Sequence, residues 1–317
     1  MDAGAIATPT APTRAERYRE VERALWTRYG LAPTEQFVDL DRPMARIRVL
    51  EVGFGEPVLF VHGLLGPDAW APLVRDLRGF RCLVLDRPGW GLSSPIDYAR
   101  TSYGSLVADV LRGVLEGLGI ARAHVVGGSG GTLWVLRLAA AHPSRVGRVT
   151  LIGAGPLLAT LAVPSWLRLM ASPLGALVVR HTSGEMLRSL LRSVGHGASL
   201  DDGRIPDELI AWRLAASRET DAMRGERAML RDALVSWPRG RWRSGVLLDD
   251  AELRAISHST LYVHAKADPV GPIGLARRIV ELLPRGELHA VEGASHEPWL
   301  EDPAGLAERI TEFLRGT

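Results

Sequence analysis

Cysteine is almost missing from this 317-residue chain: Cys82 stands alone. One thiol excludes an intramolecular disulfide framework and any cysteine-based metal site. It sits in the apolar run Arg81-Cys82-Leu83-Val84-Leu85 and reads as a small buried hydrophobe, not a nucleophile. Lysine is equally scarce, with Lys266 alone, so the basic side is arginine. Acids are interspersed with it and the formal net charge is only +2. No block of like charge points to nucleic acid or an anionic membrane. Long apolar runs are lacking too. The stretch 151–167 is broken by Pro156 and Pro164 and followed by Arg168, so one spanning helix is not expected. The opening residues lack a basic region followed by an apolar core, so no secretory signal is expected. A soluble cytoplasmic protein is the default expectation, its oligomeric state unread.

What is present is alternation. Residues 1–13 are small and proline-containing and read as a tail. A helical pattern follows from Arg14 to Tyr29, with Gly30 as a stop. Short β-rich runs cover Gln36–Leu40, Ala45–Val52 and Val58–Val61, with Gly53, Gly55 and Pro57 between the last two. Apolar strands then alternate with helices: Cys82–Leu85, Ser102–Leu118, His124–Gly127, Thr132–Ala141 and Val149–Ile152. The alternation resumes at Leu261–His264, Gly274–Leu283, Leu288–Val291 and Pro303–Leu314. Fully apolar short strands between helices predict an α/β fold with a mainly parallel sheet covered on both faces. There is no repeat at a fixed period. Between about Gly155 and His258 the strands stop and helical spacings take over, as in Met186, Leu187, Leu190, Leu191 and Val194. A helical insertion of that length reads as a lid. The expected organisation is a tail and helix over 1–35, a core over 36–154 and 259–317, and a helical cap over 155–258.

The strongest chemical signal is Val125-Val126-Gly127-Gly128-Ser129-Gly130-Gly131-Thr132, which follows a strand and opens a helix. A nucleophile on so sharp a turn needs small residues two positions before and after it. A phosphate-binding loop would place lysine after the last glycine, where Thr132 stands. A second signal is Leu59-Phe60-Val61-His62-Gly63-Leu64-Leu65-Gly66, a strand running into a loop that can offer a backbone N–H. The amides of Leu64 and Gly130 are the expected oxyanion-hole donors. His62 reads as a residue that holds this loop. No His-Glu-x-x-His or dinucleotide motif occurs, so neither a metal nor a cofactor is expected.

The order of His-Gly loop, Asp86-Arg87-Pro88-Gly89-Trp90-Gly91-Leu92-Ser93, serine turn, late aspartate and later histidine resembles the α/β-hydrolase superfamily from about residue 36 onward. The resemblance implies an architectural Asp86. It also implies an acid in Thr260–Pro272, namely Asp268, and a base in Val291–Trp299, namely His296. Ala265 stands where the family usually carries glycine. The loop Gly153-Ala154-Gly155-Pro156, where some members carry the acid, holds no carboxylate; Asp249 and Asp250 are the fallback acids. Ser129, Asp268 and His296 would form a triad in the family's chain order.

The first functional expectation is hydrolysis of a carboxylic ester or lactone of a small to medium apolar substrate through an acyl-enzyme. Alternatives are an amide hydrolase or iminopeptidase, a carbon–carbon bond hydrolase, and a non-catalytic ligand-binding member. Carbon–carbon hydrolases usually place asparagine before the serine, where this chain has Gly128. Iminopeptidases usually place tryptophan after it, and perhydrolases methionine, where this chain has Gly130. The insertion is expected to overhang the serine, with Trp166, Met170 and Trp212 lining an apolar pocket that disfavours charged acyl groups.

Overall fold

The structure, a computed structural model, describes residues 11–99, 102–153, 155, 163, 165–180, 182–235, 241–293 and 295–316. Most of the expected tail, the apolar run 156–162 and Ala294 lie outside the described residues.

The chain opens with α1 (Arg14–Arg28), β1 (Thr34–Asp41), β2 (Met44–Gly53), β3 (Glu56–Val61), α2 (Ala71–Asp76), β4 (Phe80–Leu85), α3 (Tyr103–Gly117), β5 (Ala123–Gly128), α4 (Gly131–Ala141) and β6 (Val146–Ile152). The insertion carries α5 (Ser165–Ala171), α6 (Pro173–Arg180), α7 (Gly184–Ser193), α8 (Gly197–Asp201), α9 (Asp207–Glu219) and α10 (Ala222–Ala233). A two-residue pair, β7 (Leu234–Val235) and β8 (Arg241–Trp242), and α11 (Asp250–Ala255) complete it. The sheet resumes with β9 (Thr260–Ala265), α12 (Ile273–Leu282), β10 (Gly286–Val291) and α13 (Pro303–Arg315).

Eight strands form one sheet in the order β1-β2-β4-β3-β5-β6-β9-β10. The β1–β2 and β2–β4 pairs are antiparallel and the rest parallel. Side chains alternate faces along a strand, and the core divides accordingly. Leu59, Val61, Leu83, Leu85, Val125 and Leu151 join one cluster with α3, α4 and α12. Val58, Phe60, Cys82, Val84, Val126 and Ile152 join the other with α1, α2 and α13. Each such side chain contributes about 1.5–3 kcal/mol on full burial, which is why central strands read as continuous apolar runs.

Local chemistry sets the helix ends. Thr13 and Glu16 close a capping box on α1, and Gly30 beyond its end has φ +70°. Asp302 caps α13 ahead of Pro303, and Gly316 ends it in the left-handed region. The N-terminal helix spans both layers. Glu22 pairs with the buried Arg48 of β2, while Tyr18 accepts from Trp212 Nε1 at 3.2 Å and Arg17 meets Glu219 at 2.8 Å on α9.

Two expectations are corrected here. Trp212 is not in the wall of the cavity beside Leu64: it is fully buried, packed toward α1 and the Gly66 turn, where a Cβ would lie 2.6 Å from its ring. The end of the insertion does not stay with the lid. Leu248, Leu253 and Ile256 are buried in the α3–α4–α12 cluster, and Arg137 of α4 donates to the carbonyls of Gly245, Val246 and Leu247. Asp249 is spent as the N-cap of α11, and Asp250 pairs with Arg278 on the surface. Among the described residues no helix is long and apolar enough to cross a membrane.

Candidate active site

The parallel strands deliver their loops to one edge. Ser129 follows β5, with φ +50°, the one positive φ of a non-glycine among the described residues. Such a conformation is strained for a side chain and persists only where its surroundings over-determine it. Here glycines do so. A Cβ on Gly127 would lie 2.6 Å from the Gly131 carbonyl oxygen, one on Gly131 2.0 Å from that of Val61, and one on Gly63 2.7 Å from Ser129 Cβ. Ser129 N–H donates to Ile152 O at 2.9 Å, and Thr132 N–H donates back to Ser129 O at 3.0 Å.

His296, beyond β10, places Nε2 2.9 Å from Ser129 Oγ and Nδ1 2.9 Å from Asp268 Oδ2. Asp268, beyond β9, also accepts from Val270 N–H at 2.8 Å. A carboxylate accepts only, so Nδ1 carries the proton and Nε2 accepts from the serine hydroxyl. Burial works against the charged ring, but Glu297 and Asp268 outweigh it and hold His296 above the ordinary histidine value.

The His-Gly loop lies across this turn. His62 Nε2 accepts from Arg87 N–H at 3.2 Å, which leaves Nδ1–H to donate to Gly63 O at 2.7 Å. Burial, aided by Arg87, keeps His62 well below its usual value and therefore neutral. Arg87 Nη2 reaches the same carbonyl at 3.3 Å. In a planar trans peptide the C=O and N–H point in opposite directions. Fixing Gly63 O therefore fixes the opposed N–H of Leu64. A Cβ on Gly63 would stand 3.0 Å from Gly130 N, so the amides of Leu64 and Gly130 flank the serine turn. Asp86 holds the adjacent loop, accepting from Leu92 N–H at 2.9 Å and from Arg48 at 3.3 Å. Burial raises it to about 6 despite Arg48.

Beside Leu64 opens a cavity of about 270 Å³, walled mostly by apolar side chains, with Trp90, Leu169, Met170, Met186, Leu187, Leu190 and Met223 among them. Met170 thus lines it. The side chain of Trp166 lies outside what the structure describes. One wall residue was not anticipated: Arg213 of α9. It is buried, donates Nη2 to Leu64 O at 3.1 Å, and its Nη1 has no hydrogen-bond partner among the described residues. Burial lowers it to about 10, Glu297 opposing, so it stays a cation at neutral pH. The available signal was an arginine in the apolar stripe of Leu209, Arg213 and Ala216. Glu226 of α10 is likewise turned inward, accepting from Arg87 at 2.7 Å and from Trp90 Nε1 at 2.8 Å.

A family model described as alpha/beta hydrolase fold matches residues 56–303. The chain is 29% identical over 283 residues to a 2-hydroxy-6-oxononadienedioate/2-hydroxy-6-oxononatrienedioate hydrolase of Cupriavidus pinatubonensis, covering 85% of this chain and 90% of that one. It is also 29% identical over 277 residues to a 2-hydroxymuconate semialdehyde hydrolase of a Pseudomonas, covering 85% and 90%. Among solved structures, it is similar to a meta-cleavage product hydrolase from Pseudomonas fluorescens IP01 (TM-score 0.70, 25% identity, 89% of this chain and 97% of that one). A carboxylesterase from Bacillus subtilis shares the fold at TM-score 0.75 and 20% identity, covering 96% and 99%. With its mostly parallel sheet and the match to more than half its length, the chain is a hydrolase of the α/β-hydrolase fold family.

Proposed function

We propose that this protein hydrolyses a small oxo acid through Ser129 and cleaves a carbon–carbon bond next to the carbonyl. The chemistry rests on one observation: His296 bridges Ser129 Oγ and Asp268 Oδ2 at 2.9 Å on each side. In this reading His296 takes the hydroxyl proton as Oγ attacks the carbonyl carbon. The amides of Leu64 and Gly130 receive the oxyanion. The leaving group must be an enolate, so the substrate reacts as its 2-oxo tautomer, its hydroxyl proton having moved to the carbon beside the 6-oxo group. As the tetrahedral intermediate collapses, the carbon–carbon bond breaks, its electron pair passes into that enolate, and the imidazolium protonates the enolate. Water, deprotonated by the same imidazole, then releases the acid from Ser129. Asp268 fixes the tautomer and stabilises the imidazolium without taking the proton.

The substrate class rests on Arg213 and on the relatives. A buried guanidinium whose Nη1 has no hydrogen-bond partner among the described residues, in a mostly apolar cavity, suits one carboxylate on an apolar body. The relatives' names specify hydroxy-oxo acids. Attack at the 6-oxo carbonyl of such an acid breaks a carbon–carbon bond. This replaces the earlier expectation that charged substrates are disfavoured.

Ester hydrolysis is the second reading, and Gly128 favours it. The stacked rings of Trp70 and Trp299, 4.2 Å apart, occupy the space beside it. A Cβ on Gly128 would lie 2.7 Å from Trp70 and 3.1 Å from Trp299, so the asparagine usual in carbon–carbon hydrolases has no room. The two readings are separated by kcat/KM for 2-hydroxy-6-oxo-dienoate acids against p-nitrophenyl esters from acetyl to octanoyl. We expect the acids to exceed every ester by at least about tenfold, a difference worth ~1.4 kcal/mol in the transition state. A larger kcat/KM for neutral esters would establish the second reading instead.

A further inference from the structure

His296 stands between two carboxylates, not one. Asp268 holds Nδ1, and Glu297 Oε1 lies 3.8 Å from Nε2, the nitrogen that faces Ser129. Glu297 is buried, and its other oxygen accepts from His196 Nε2 at 2.9 Å. His196 comes from the insertion, in the turn between α7 and α8, and is fully buried. Its Nδ1 lies 2.6 Å from Ser295 Oγ, which donates to Glu301 at 2.8 Å. The same turn grips the histidine loop by its backbone. Val194 O accepts from His296 N–H at 3.2 Å, and a Cβ on Gly195 would stand 2.9 Å from Ser295 Cβ. Nothing in the proposed steps uses Glu297 or His196, yet both are sequestered within reach of the base.

We propose that Glu297 and His196 are a positioning pair that sets the protonation of His296 at the nitrogen facing Ser129. It rests on His296 serving as the base of Ser129. A carboxylate beside Nε2 favours the imidazolium, which helps when the serine proton arrives but works against the neutral ring that must accept it. A cation bonded to that carboxylate limits the effect. The other charged or titratable groups around His296 do not duplicate this pair. Asp268 acts on Nδ1. His264 of β9 is bonded to Gly271 O at 3.0 Å and held low by burial. Arg213 acts through Glu297, and Glu301 through His196 and Ser295. The electrostatics agree in sign. Burial lowers His296, the charge of Glu297 and both the hydrogen bond and the charge of Asp268 raise it, and His196 lowers it. Burial likewise opposes charge on His196, but its bonds to Glu297 and Glu301 raise it to about 9, so it is a cation when the enzyme works.

The rate at which a fluorophosphonate labels Ser129 reads the fraction of neutral His296 without needing the substrate. It is followed from pH 5 to 9 in the wild type and in isosteric variants. In Glu297→Gln the acid limb should move down by about one pH unit, so that labelling well below the limb is about tenfold faster relative to the plateau. In His196→Gln, which keeps a donor but loses the charge, the limb should move up by about one unit. Glu297→Asp should shift the limb less than Glu297→Gln does. Opposite shifts in the two amide variants support the pair; if one variant does not fold, the sign in the other decides. Limbs that stay within about 0.2 units of wild type, or move the same way, overturn the pair while leaving the triad intact. A wild-type Ser129 that is not labelled overturns the triad, and the pair with it.

Discussion

The sheet edge and the helical insertion solve different problems. At the sheet edge the constraints are steric and local. Gly63, Gly127 and Gly131 are required because their neighbours leave no space for a Cβ, and Ser129 is forced to φ +50° between them. In the insertion the constraints are electrostatic and distant in sequence. Its cavity wall is largely apolar, yet three of its charged residues turn inward onto the sheet layer. Arg213 meets Leu64 O, Glu226 meets Arg87 and Trp90, and His196 meets Glu297. On the proposed reading, the reaction machinery is fixed by backbone geometry, whereas choice of substrate and tuning of the base are left to buried charge. A buried charge is costly unless paired, so each such contact also dictates where the insertion docks.

The largest effect should come from the sheet edge. Ser129→Ala should lower kcat/KM by on the order of 10⁴-fold or more, because triad members act as a unit. Its thermal melting should stay near wild type, since among the described residues the hydroxyl's hydrogen bond is the one with His296. Retention of most activity would remove the nucleophile assignment. Next in size is the insertion's arginine. Arg213→Leu should lower kcat/KM for a carboxylate-bearing substrate by about 10²-fold, in line with the ~1.5–3 kcal/mol of a charge-assisted hydrogen bond. A neutral ester should lose far less. Equal losses for both would mean that Arg213 serves the Leu64 loop and not the substrate. Smaller again is Gly128→Asn, which tests whether the turn can accept the residue usual in carbon–carbon hydrolases. Overpacking against Trp70 and Trp299 should cost about 1–3 kcal/mol in a denaturant titration. A variant as stable as wild type would show that the tryptophan pair yields.

The same contrast explains what the sequence made legible. Every strand expected from short β-rich runs is present, extended by one to three residues at one or both ends; the central ones stood out because a parallel strand buried on both faces must be apolar throughout. Ser129, Asp268 and His296 were singled out by motif and by the order the resemblance implies, and the structure places His296 2.9 Å from each of the other two. His62 was read as a loop holder, and its tautomer shows how it holds the loop. Within the insertion, composition misled. Trp212 had the size of a pocket residue but packs against Tyr18. Arg213, one position later, faces the cavity. Neighbouring helix positions differ by about 100° in direction, so a size-based choice picks the wrong face easily. Residues 245–256 end the insertion in sequence but pack on the α4 face, because Arg137 binds carbonyls that no pattern marks. Glu297 adjoins His296 in sequence, but its partner His196 lies about a hundred residues away. That pairing is a property of docking, not of spacing.

The smallest effect in the comparison is a slope, and it isolates the charge that joins the two regions. His196 is raised to about 9 in the folded chain, burial opposing and Glu297 and Glu301 prevailing, against about 6.5 for an unfolded histidine. A group raised by folding contributes stability that is complete below its unfolded value and lost as pH rises through its folded value. Unfolding free energy should therefore fall between about pH 6.5 and 9, by up to ~1.4 kcal/mol per pH unit from this group. His296, also raised, adds a slope of the same sign, so the wild-type slope alone does not single out His196. Subtraction does. Because His196→Gln also shifts His296, urea titrations at pH 6, 7, 8 and 9 are compared in His296→Gln and in the His196→Gln/His296→Gln double variant, and the curves should converge as pH rises, because only the first has a proton to lose at position 196. Parallel curves would mean that folding leaves the proton affinity of His196 unchanged, so that its carboxylate partners hold no charge on it. The insertion would then be docked on the catalytic loop by neutral hydrogen bonds, and the distinction between steric and electrostatic control of the two regions would fail at its most direct contact.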